Sequence, residues 1–308
     1  MEQIIVPVSD VARTEQFFHL GLGFTSVDHG AFSGNGFAHL FGIRAARAKF
    51  VTMRLGSDEV VFVQYTRPGK PYPAGSQSPD LWFQHFAVIV SDMDKAYAAL
   101  RQVPFAPISE GGPILLPPQN GSVRAFKFRD PDGHPLELLS FPKGQGRAVW
   151  HQSDDKRVFL GIDHSAIGIS DTDRSTAFYR DLLGMTVAYQ TVNRGSAQER
   201  LDGTFNAVVG ITGLRPTSPN GPGIEFLDYF TPPTGRPAAR DARSNDLVQL
   251  ELRLAVDDLS ATVVRLHTAH VAFVSPDIVE LDDGRRAAMV RDPDGHVVWL
   301  DQEAAQPS

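Results

Sequence analysis

The sequence contains one six-residue motif twice, and this repeat limits the chain to a fold built from duplicated parts. The motif Arg-Asp-Pro-Asp-Gly-His occupies Arg129–His134 and returns at Arg291–His296, 162 positions later in a chain of 308 residues. Asp-Pro fixes one φ angle and Asp-Gly supplies a positive one, so each copy predicts a tight turn. The residues after each copy are extended and apolar, which places the turn before the last strand of each half. A fixed internal period of this kind predicts a tandem duplication.

A second pattern divides each half again. A polar residue, an apolar stretch and an aspartate seven positions after the start occur four times, at Gln3–Asp10, His85–Asp92, His164–Asp171 and Glu251–Asp258. The aspartate is a suitable N-cap and predicts a helix after each strand. The predicted helices run approximately over Val11–Gly21, Asp94–Val103, Asp173–Leu183 and Leu259–Ala269. Short strands separated by Gly, Asn and Pro turns follow, so each unit is predicted to be β-α-β-β-β.

We expect the four units to pair along the chain into two domains. The first domain is predicted at residues 1–142, with units at 3–66 and 82–141, and the second at 159–303, with units at 161–230 and 246–302. A polar, glycine-containing linker is predicted at 143–158. The Pro- and Gly-rich segments Arg67–Pro79 and Thr231–Arg243 lie between the units of each half, and they are expected to cover a cavity mouth.

Composition excludes several classes of function. A hydrophobic content of 42% with 21% charged residues is ordinary for a globular protein, and no apolar run approaches the roughly 18 residues of a membrane helix. The N-terminus resembles no signal peptide, so a cytoplasmic location is expected. A net charge of −7 without a basic cluster argues against nucleic-acid binding. With no cysteine, any metal must be held by His, Asp, Glu or neutral oxygen donors.

Four β-α-β-β-β units, openings of the form His-(x)6-Asp and the Asp-Pro-Asp-Gly-His closing turn resemble the vicinal oxygen chelate superfamily. This superfamily includes glyoxalase I, extradiol ring-cleaving dioxygenases, methylmalonyl-CoA epimerase, and fosfomycin- and bleomycin-resistance proteins. The resemblance implies an α+β fold of two tandem glyoxalase/bleomycin-resistance/dioxygenase-like domains with cupped mixed sheets. It also implies a divalent metal, held by up to four side chains from the first and last strands of paired units.

The resemblance assigns eight positions to such ligands. They are Gln3, Val61, His85 and Glu137 in the first predicted domain, and His164, Glu225, Glu251 and Trp299 in the second. Each predicted domain thus retains three possible ligands, because Val61 and Trp299 cannot bind a cation.

The preferred metal set is His164, Glu225 and Glu251 in the second predicted domain, and the rival set is His85, Glu137 and Gln3 in the first. Glu251 and Glu137 are the expected catalytic carboxylates. Strand alternation supports Glu137, since it places this carboxylate in an apolar row where it needs a cationic partner. The turn residues His134 and His296 are expected to be exposed.

Imidazole and carboxylate donors suit Fe, Mn, Ni, Co or Zn. A metal of this kind with open positions can bind two substrate oxygens and stabilise an enolate-like or oxyanion intermediate while a carboxylate moves a proton. We therefore expect a lyase, isomerase or epimerase acting on a small oxygenated molecule, in a chain that could form a homodimer. One alternative is an Fe(II) extradiol dioxygenase, although neither predicted domain supplies two histidines and one carboxylate. The other alternative is a non-catalytic, resistance-type protein that binds a small molecule.

Overall fold

The computed structural model describes residues 1–152, 156–218, 221–233 and 235–302. Residues 153–155 of the predicted linker, 219–220 of the predicted unit 161–230, 234 of the second Pro- and Gly-rich segment and 303 of the second predicted domain lie outside this part. The described residues form the four predicted units, and the α+β fold class is confirmed. No helix in the described ranges is both long enough and apolar enough to span a membrane.

Each unit opens with a strand, continues with a helix and closes with antiparallel strands. Unit 1 contains β1 (Gln3–Pro7), α1 (Val11–Leu22), β2 (Thr25–Phe32), α2 (Asn35–Leu40), β3 (Ala48–Leu55) and β4 (Asp58–Tyr65). Unit 2 contains β5 (Gln84–Val90), α3 (Met93–Leu100), β6 (Ala106–Pro107), β7 (Ile114–Leu115), β8 (Arg124–Arg129) and β9 (Pro135–Ser140).

The second half repeats this order. Unit 3 contains β10 (Phe159–Ile169), α4 (Thr172–Thr176), a π-helical turn (Ala177–Leu182), β11 (Thr186–Arg194), α5 (Ser196–Asp202), β12 (Val208–Arg215) and β13 (Gly223–Thr231). Unit 4 contains β14 (Glu251–Ala255), α6 (Leu259–Thr268), β15 (Ala272–Phe273), β16 (Val279–Glu280), β17 (Arg286–Arg291) and β18 (Val297–Gln302). The helix expected over 173–183 is therefore divided into a short α-helix and a π-helical turn.

The predicted N-caps are present at the start of the helix in every unit. The Asp10 carboxylate accepts hydrogen bonds from the backbone N–H groups of Ala12 and Arg13, and Asp92, Asp171 and Asp258 cap their helices in the same way. These bonds satisfy N–H groups that have no partner within the helix. The aspartate at the end of each repeated strand pattern thus fixes the residue at which the helix begins.

The described strands form two nine-stranded sheets, and each sheet takes one unit from each half of the chain. The first sheet runs β15-β17-β18-β14-β1-β4-β3-β2, with β16 on β17, and so joins units 1 and 4. The second runs β11-β12-β13-β10-β5-β9-β8-β6, with β7 on β8, and joins units 2 and 3. In both sheets the two opening strands pair antiparallel, β1 with β14 and β5 with β10. The division into domains 1–142 and 159–303 follows chain order and stays a prediction.

The largest hydrophobic core lies on the helix-bearing face of both sheets. Phe18 from α1 packs against Phe62 and Phe86, which come from opposite sheets. Strand alternation then sends the neighbouring residues to the other face. Leu136 and Leu138 enter this core, for example, so Glu137 faces away from it.

The two hexapeptide turns connect the units within each half. Asp132 accepts hydrogen bonds from the backbone N–H and the hydroxyl of Ser9, at 2.8 Å and 2.6 Å. Asp294 binds the same two groups of Ser170, at 3.0 Å and 2.6 Å. The turn of unit 2 is therefore tied to unit 1, and the turn of unit 4 to unit 3. Each sheet joins the halves, whereas each turn joins units inside one half.

The expectation that the turn histidines are exposed is wrong, because His134 and His296 are only 2% and 5% exposed. His134 Nδ1 lies 2.9 Å from Asp130 Oδ2, and His296 Nε2 donates to the carbonyl oxygen of Gly168 at 2.8 Å. Both rings are covered because the turns that carry them pack against neighbouring units. Their role is structural.

One buried aspartate links the two sheets and makes stability depend on pH. Asp58 on β4 accepts a 2.8 Å hydrogen bond from the N–H of Ile162 on β10. Burial raises the pKa of Asp58 to about 6, although that hydrogen bond opposes the shift. Because its ordinary pKa is 3.8, the folded state binds more protons than the unfolded state between pH 4 and pH 6.

We therefore predict that the free energy of unfolding falls as pH rises through this window. Relative to Asp58→Asn, which preserves shape and the acceptor for Ile162, the wild type should lose roughly 2.5 kcal/mol between pH 4 and pH 7. Urea unfolding of both proteins across this range measures the difference. A constant difference between the two proteins would contradict the prediction.

Candidate metal centre

Four adjacent strands of the second sheet bring four predicted ligands to one face. These strands lie in the order β13-β10-β5-β9 and carry Glu225, His164, His85 and Glu137 respectively. On β13 and β9 the flanking residues enter the core on the opposite face, Ile224 and Phe226 around Glu225 and Leu136 and Leu138 around Glu137. The alternation of the strands therefore points all four polar side chains away from the helices.

The four side chains form one compact group. Ligand atoms of His85, Glu137 and His164 all lie within 4.8 Å of one another. His85 Nε2 is 3.2 Å from Glu137 Oε2, and His164 Nε2 is 3.9 Å from the same oxygen. Glu225 Oε1 lies 3.7 Å from His164 Nε2. All four side chains are at most 13% exposed, so water screens their charges weakly.

A second layer of polar groups holds two of these side chains. Asp163 Oδ2 lies 3.1 Å from His164 Nδ1, and Arg215 binds both oxygens of Asp163 at 3.2 Å and 3.1 Å. The hydroxyl of Tyr189 donates to Glu225 Oε2 at 2.5 Å. Glu225 is thereby held from one side while its other oxygen faces His164.

The pKa values show how strongly these groups interact. Burial alone would raise the pKa of Glu137, but the hydrogen bond from His85 and the positive charges around it lower that pKa to about 2. Burial lowers the pKa of His85, despite Glu137. For His164 burial acts in the same direction, yet Glu225, Asp163 and Glu137 outweigh it and raise the pKa to about 9. The cluster therefore attracts a positive charge at the His164 position.

The donor atoms fit a divalent metal ion. His164 Nε2 is buried and has no hydrogen-bond partner, although Glu137 and Glu225 flank it. An unsatisfied buried nitrogen is costly, and a cation bound to its lone pair would remove that cost. Two imidazoles and two carboxylates are a donor set that Fe(II), Mn, Co, Ni and Zn accept. The residues that could hold the ion are His85, Glu137, His164 and Glu225.

A cavity of about 530 Å³ adjoins the cluster, with Glu137, His164 and Glu225 in its wall. One part of the remaining wall is apolar and another presents amide groups: Leu116, Val123, Ala125, Leu139, Ile211 and Leu227, then Asn120, Gln145, Asn193 and Gln198. This volume accommodates a small ligand. Residues Gln145, Gly146 and Arg147 of the predicted linker also line the cavity.

Lys127 is a further charged residue in this wall. It faces the cavity from β8 beside Glu137, its cross-strand neighbour, and is 3% exposed. Its Nζ donates to Asp202 Oδ1 at 2.7 Å, and Asp202 also accepts hydrogen bonds from Gln198 and Tyr229. Burial lowers the pKa of Lys127, but Asp202, Glu137 and Glu225 reverse this and raise it. A fixed positive charge therefore stands near both carboxylates of the cluster.

The structure separates Glu251 from His164 and Glu225, and Gln3 from His85 and Glu137. Glu251 and Gln3 belong to the first sheet, because that sheet pairs unit 1 with unit 4. The preferred and rival metal sets each combined residues from two sheets. The structure instead groups the four ligands contributed by units 2 and 3.

In the first sheet aromatic rings narrow the corresponding space, and neither Gln3 nor Glu251 lines the cavity of about 280 Å³ that remains there. Gln3 Oε1 accepts a 2.7 Å hydrogen bond from Arg253, so a guanidinium already occupies the place that a bound cation would take beside Gln3. Rings of Phe37, Phe41, Tyr65 and Trp299 pack together in an apolar cluster that also contains Val61. Burial raises the pKa of Glu251 well above its usual range, which favours the neutral acid.

Sequence reasoning did not identify Asp163, Lys127 or Tyr189. Two signals were present: Asp163 directly precedes His164, and Lys127 alternates with Phe126 and Phe128 on a strand whose aromatic residues enter the core. Alternation alone would have placed Lys127 on the face of Glu137. For Tyr189, which approaches Glu225 from an edge strand, no local signal exists.

Comparison with known proteins agrees with this architecture. A family model described as the Glyoxalase/Bleomycin resistance protein/Dioxygenase superfamily matches residues 1–138 and again residues 161–300. The chain belongs to this superfamily, and the resemblance to vicinal oxygen chelate proteins is confirmed. No curated protein matches the chain significantly.

Solved structures share the fold at low sequence identity. Glyoxalase I from Zea mays is 16% identical, with a TM-score of 0.66 over 98% of this chain and 92% of that chain. A candidate dioxygenase from Bacillus subtilis is 13% identical, with a TM-score of 0.60 over 99% of this chain and 85% of that chain. Identities this low establish the common fold and leave the reaction to the chemistry of the site.

We predict that Lys127→Met destabilises the protein by about 3–5 kcal/mol, because it leaves Asp202 charged and unpaired inside the protein. Lys70 provides a matched control, since its 2.6 Å ion pair with Asp241 is exposed. Lys70→Met should therefore cost less than about 1 kcal/mol. Urea unfolding measures both changes, and similar losses in the two variants would contradict the prediction.

Proposed function

We propose that this protein is a divalent-metal-dependent enzyme that transfers a proton on a small oxygenated molecule, in the manner of a lyase, isomerase or epimerase. The observation that carries the proposal is the buried cluster of His85, Glu137 and His164, whose ligand atoms lie within 4.8 Å, with Glu225 beside it. Burying imidazoles and carboxylates with unsatisfied atoms costs free energy, and such groups are found mainly at functional sites, where a bound ligand or ion satisfies them.

Under this proposal His85, Glu137 and His164 hold the metal, and Glu225 lies close enough to join them or to move a proton. A bound divalent ion would act as a Lewis acid toward substrate oxygens. His85 and Glu137 are already in contact, so the ligands are arranged before any ion binds. Ligands that are pre-positioned in this way lower the cost of binding.

Glu225 is the proposed proton-transferring base. One of its oxygens is held by Tyr189 and the other faces His164 at the cavity wall. A carboxylate in this place can remove the proton from a carbon next to a substrate carbonyl, while the electron pair of the C–H bond moves toward the carbonyl oxygen. For an α-hydroxyketone the same group then returns the proton to the former carbonyl carbon, and the hydroxyl proton passes to the oxygen on that carbon, which balances the isomerisation. The positive charge of Lys127 stabilises negative charge in the cavity during this step.

A second candidate function is an Fe(II)-dependent dioxygenase. Sequence reasoning argued against it because neither predicted domain supplied two histidines and one carboxylate. Pairing of units 2 and 3 supplies such a set in His85, His164 and Glu137, which is a donor set used by non-haem Fe(II) oxygenases. The second carboxylate, Glu225, favours proton transfer over ring cleavage. A binding protein without catalysis is the third possibility.

The domain division at 1–142 and 159–303 is likewise proposed, and the two ranges matched by the family model support it. A cytoplasmic location and a homodimer stay predictions.

Metal analysis is the first test. We predict that the purified, reconstituted protein binds one divalent ion per chain, and that His164→Ala or Glu137→Gln weakens binding by more than about 100-fold, since even supporting residues contribute 10–100-fold. Gln3→Ala, which changes the corresponding position in the first sheet, should bind metal like the wild type. Titration of the metal-free proteins measures these affinities. Absence of binding in the wild type would contradict the proposal and favour metal-independent ligand binding.

Replacing the base should separate metal binding from catalysis. We predict that Glu225→Gln retains metal but loses about 100-fold or more in the rate of deuterium incorporation from D2O into an α-hydroxyketone such as dihydroxyacetone, because the amide cannot accept the proton. NMR measures the exchange, and free metal ion is the control. Oxygen uptake with catechols after anaerobic Fe(II) loading, without such exchange, would instead support the dioxygenase.

A further inference from the structure

The two histidines of the cluster are held differently. Asp163 Oδ2 lies 3.1 Å from Nδ1 of His164, and both side chains are buried, at 3% and 6% exposure. His85 Nδ1, by contrast, is buried without a hydrogen-bond partner. The residue before His85 is Gln84, and its side-chain amide donates to the Ser165 hydroxyl at 3.3 Å. Equivalent positions in units 2 and 3 thus carry different groups.

Asp163 is itself firmly positioned. Arg215 donates from one terminal nitrogen to both carboxylate oxygens and from the other to the Asp163 carbonyl oxygen, at 2.9 Å. The indole N–H of Trp150 lies 3.4 Å from Asp163 Oδ1. Trp150 comes from the predicted linker, and the guanidinium of Arg147 stacks on its ring at 5.0 Å. Two other chain segments, β12 and the predicted linker, therefore fix one carboxylate behind one histidine.

The arrangement has a direct chemical consequence for His164. In the neutral ring, which is the form that binds a metal, a carboxylate at Nδ1 keeps the proton on that nitrogen and leaves the lone pair on Nε2. Nε2 is the atom that points toward Glu137 and Glu225 and lacks a hydrogen-bond partner. Negative charge behind the ring also makes Nε2 a stronger electron donor.

We propose that Asp163 is the positioning residue of the metal centre, and that Arg215 and Trp150 act through it. This inference rests on the proposed metal-dependent function. Asp163 fixes the ring orientation and tautomer of His164, and so makes His164 the stronger of the two histidine ligands. His85, which has no such partner, relies on its contact with Glu137.

The test compares metal affinities of intact chains freed of metal by a chelator and titrated with Zn²⁺ in competition with a chromophoric chelator. Asp163→Asn preserves shape and removes the charge, so it should weaken binding by roughly 10–100-fold. Arg215→Met leaves the carboxylate but removes its main partner, and should weaken binding less than Asp163→Asn does. Gln84→Ala is the matched control from the equivalent position, and it should stay within about threefold of the wild type, since Gln84 contacts no metal ligand.

A spectroscopic measurement separates positioning from a general loss of stability. In Co²⁺-loaded protein, the visible absorption bands should shift for Asp163→Asn and stay unchanged for Gln84→Ala. Asp163→Glu, which retains the charge, should bind metal more tightly than Asp163→Asn. Wild-type affinity and an unshifted spectrum in Asp163→Asn would overturn this inference alone. A wild-type chain that binds no metal would overturn the proposed function as well.

Discussion

Antiparallel pairing of the opening strands is the constraint on which the rest of the structure depends. Because β5 pairs with β10, the closing strands β9 and β13 lie on either side of them. Ligand positions that are 140 residues apart in sequence, such as His85 and Glu225, then face one space. Pairing of unit 1 with unit 2 and of unit 3 with unit 4 would have separated them. The candidate metal centre is thus a product of sheet topology as much as of residue type.

The two sheets share this pairing, but different residues occupy the space beside each of them. In the second sheet, Glu137 and Glu225 remain beside an open cavity, and their charges are balanced by His164 and Lys127. In the first sheet, the equivalent space contains aromatic rings and the guanidinium of Arg253. Burial of apolar area stabilises the first sheet, and among its predicted ligands the electrostatic cost of burial falls on Glu251, whose pKa is raised. The second sheet bears such a cost at four neighbouring residues, which is typical of a site that binds and reacts.

Local chemistry made the four units predictable from sequence. Which two units share a sheet did not follow from it. The caps at Asp10, Asp92, Asp171 and Asp258 act within a few residues, so sequence reasoning found them. All four opening strands carry a similar apolar pattern, and nothing local says which two will meet. The candidates His85, Glu137, His164 and Glu225 could therefore be named, but they were grouped with Gln3 and Glu251.

Two further residues show where the limit lies. Lys127 could have been found by alternation, since Phe126 and Phe128 fix the face of its strand. Tyr189 approaches Glu225 from an edge strand and depends on tertiary structure alone. The face of a site residue within a regular strand can thus be predicted from the sequence. A contact made by a residue from a distant strand cannot.

The order of the units along the chain also bears on how the molecule assembles. The second sheet uses one continuous stretch, from Gln84 to Thr231, and can form as soon as that stretch has left the ribosome. The first sheet pairs Gln3 with Arg253, and so must wait for the C-terminal unit, although the other edge of its N-terminal strand pairs with β4 of the same unit. Closing so long a loop is slow. During synthesis we therefore expect the second sheet, which carries the cluster, to form first. The first sheet forms later, when β14 pairs with β1 and brings the N-terminal and C-terminal units together.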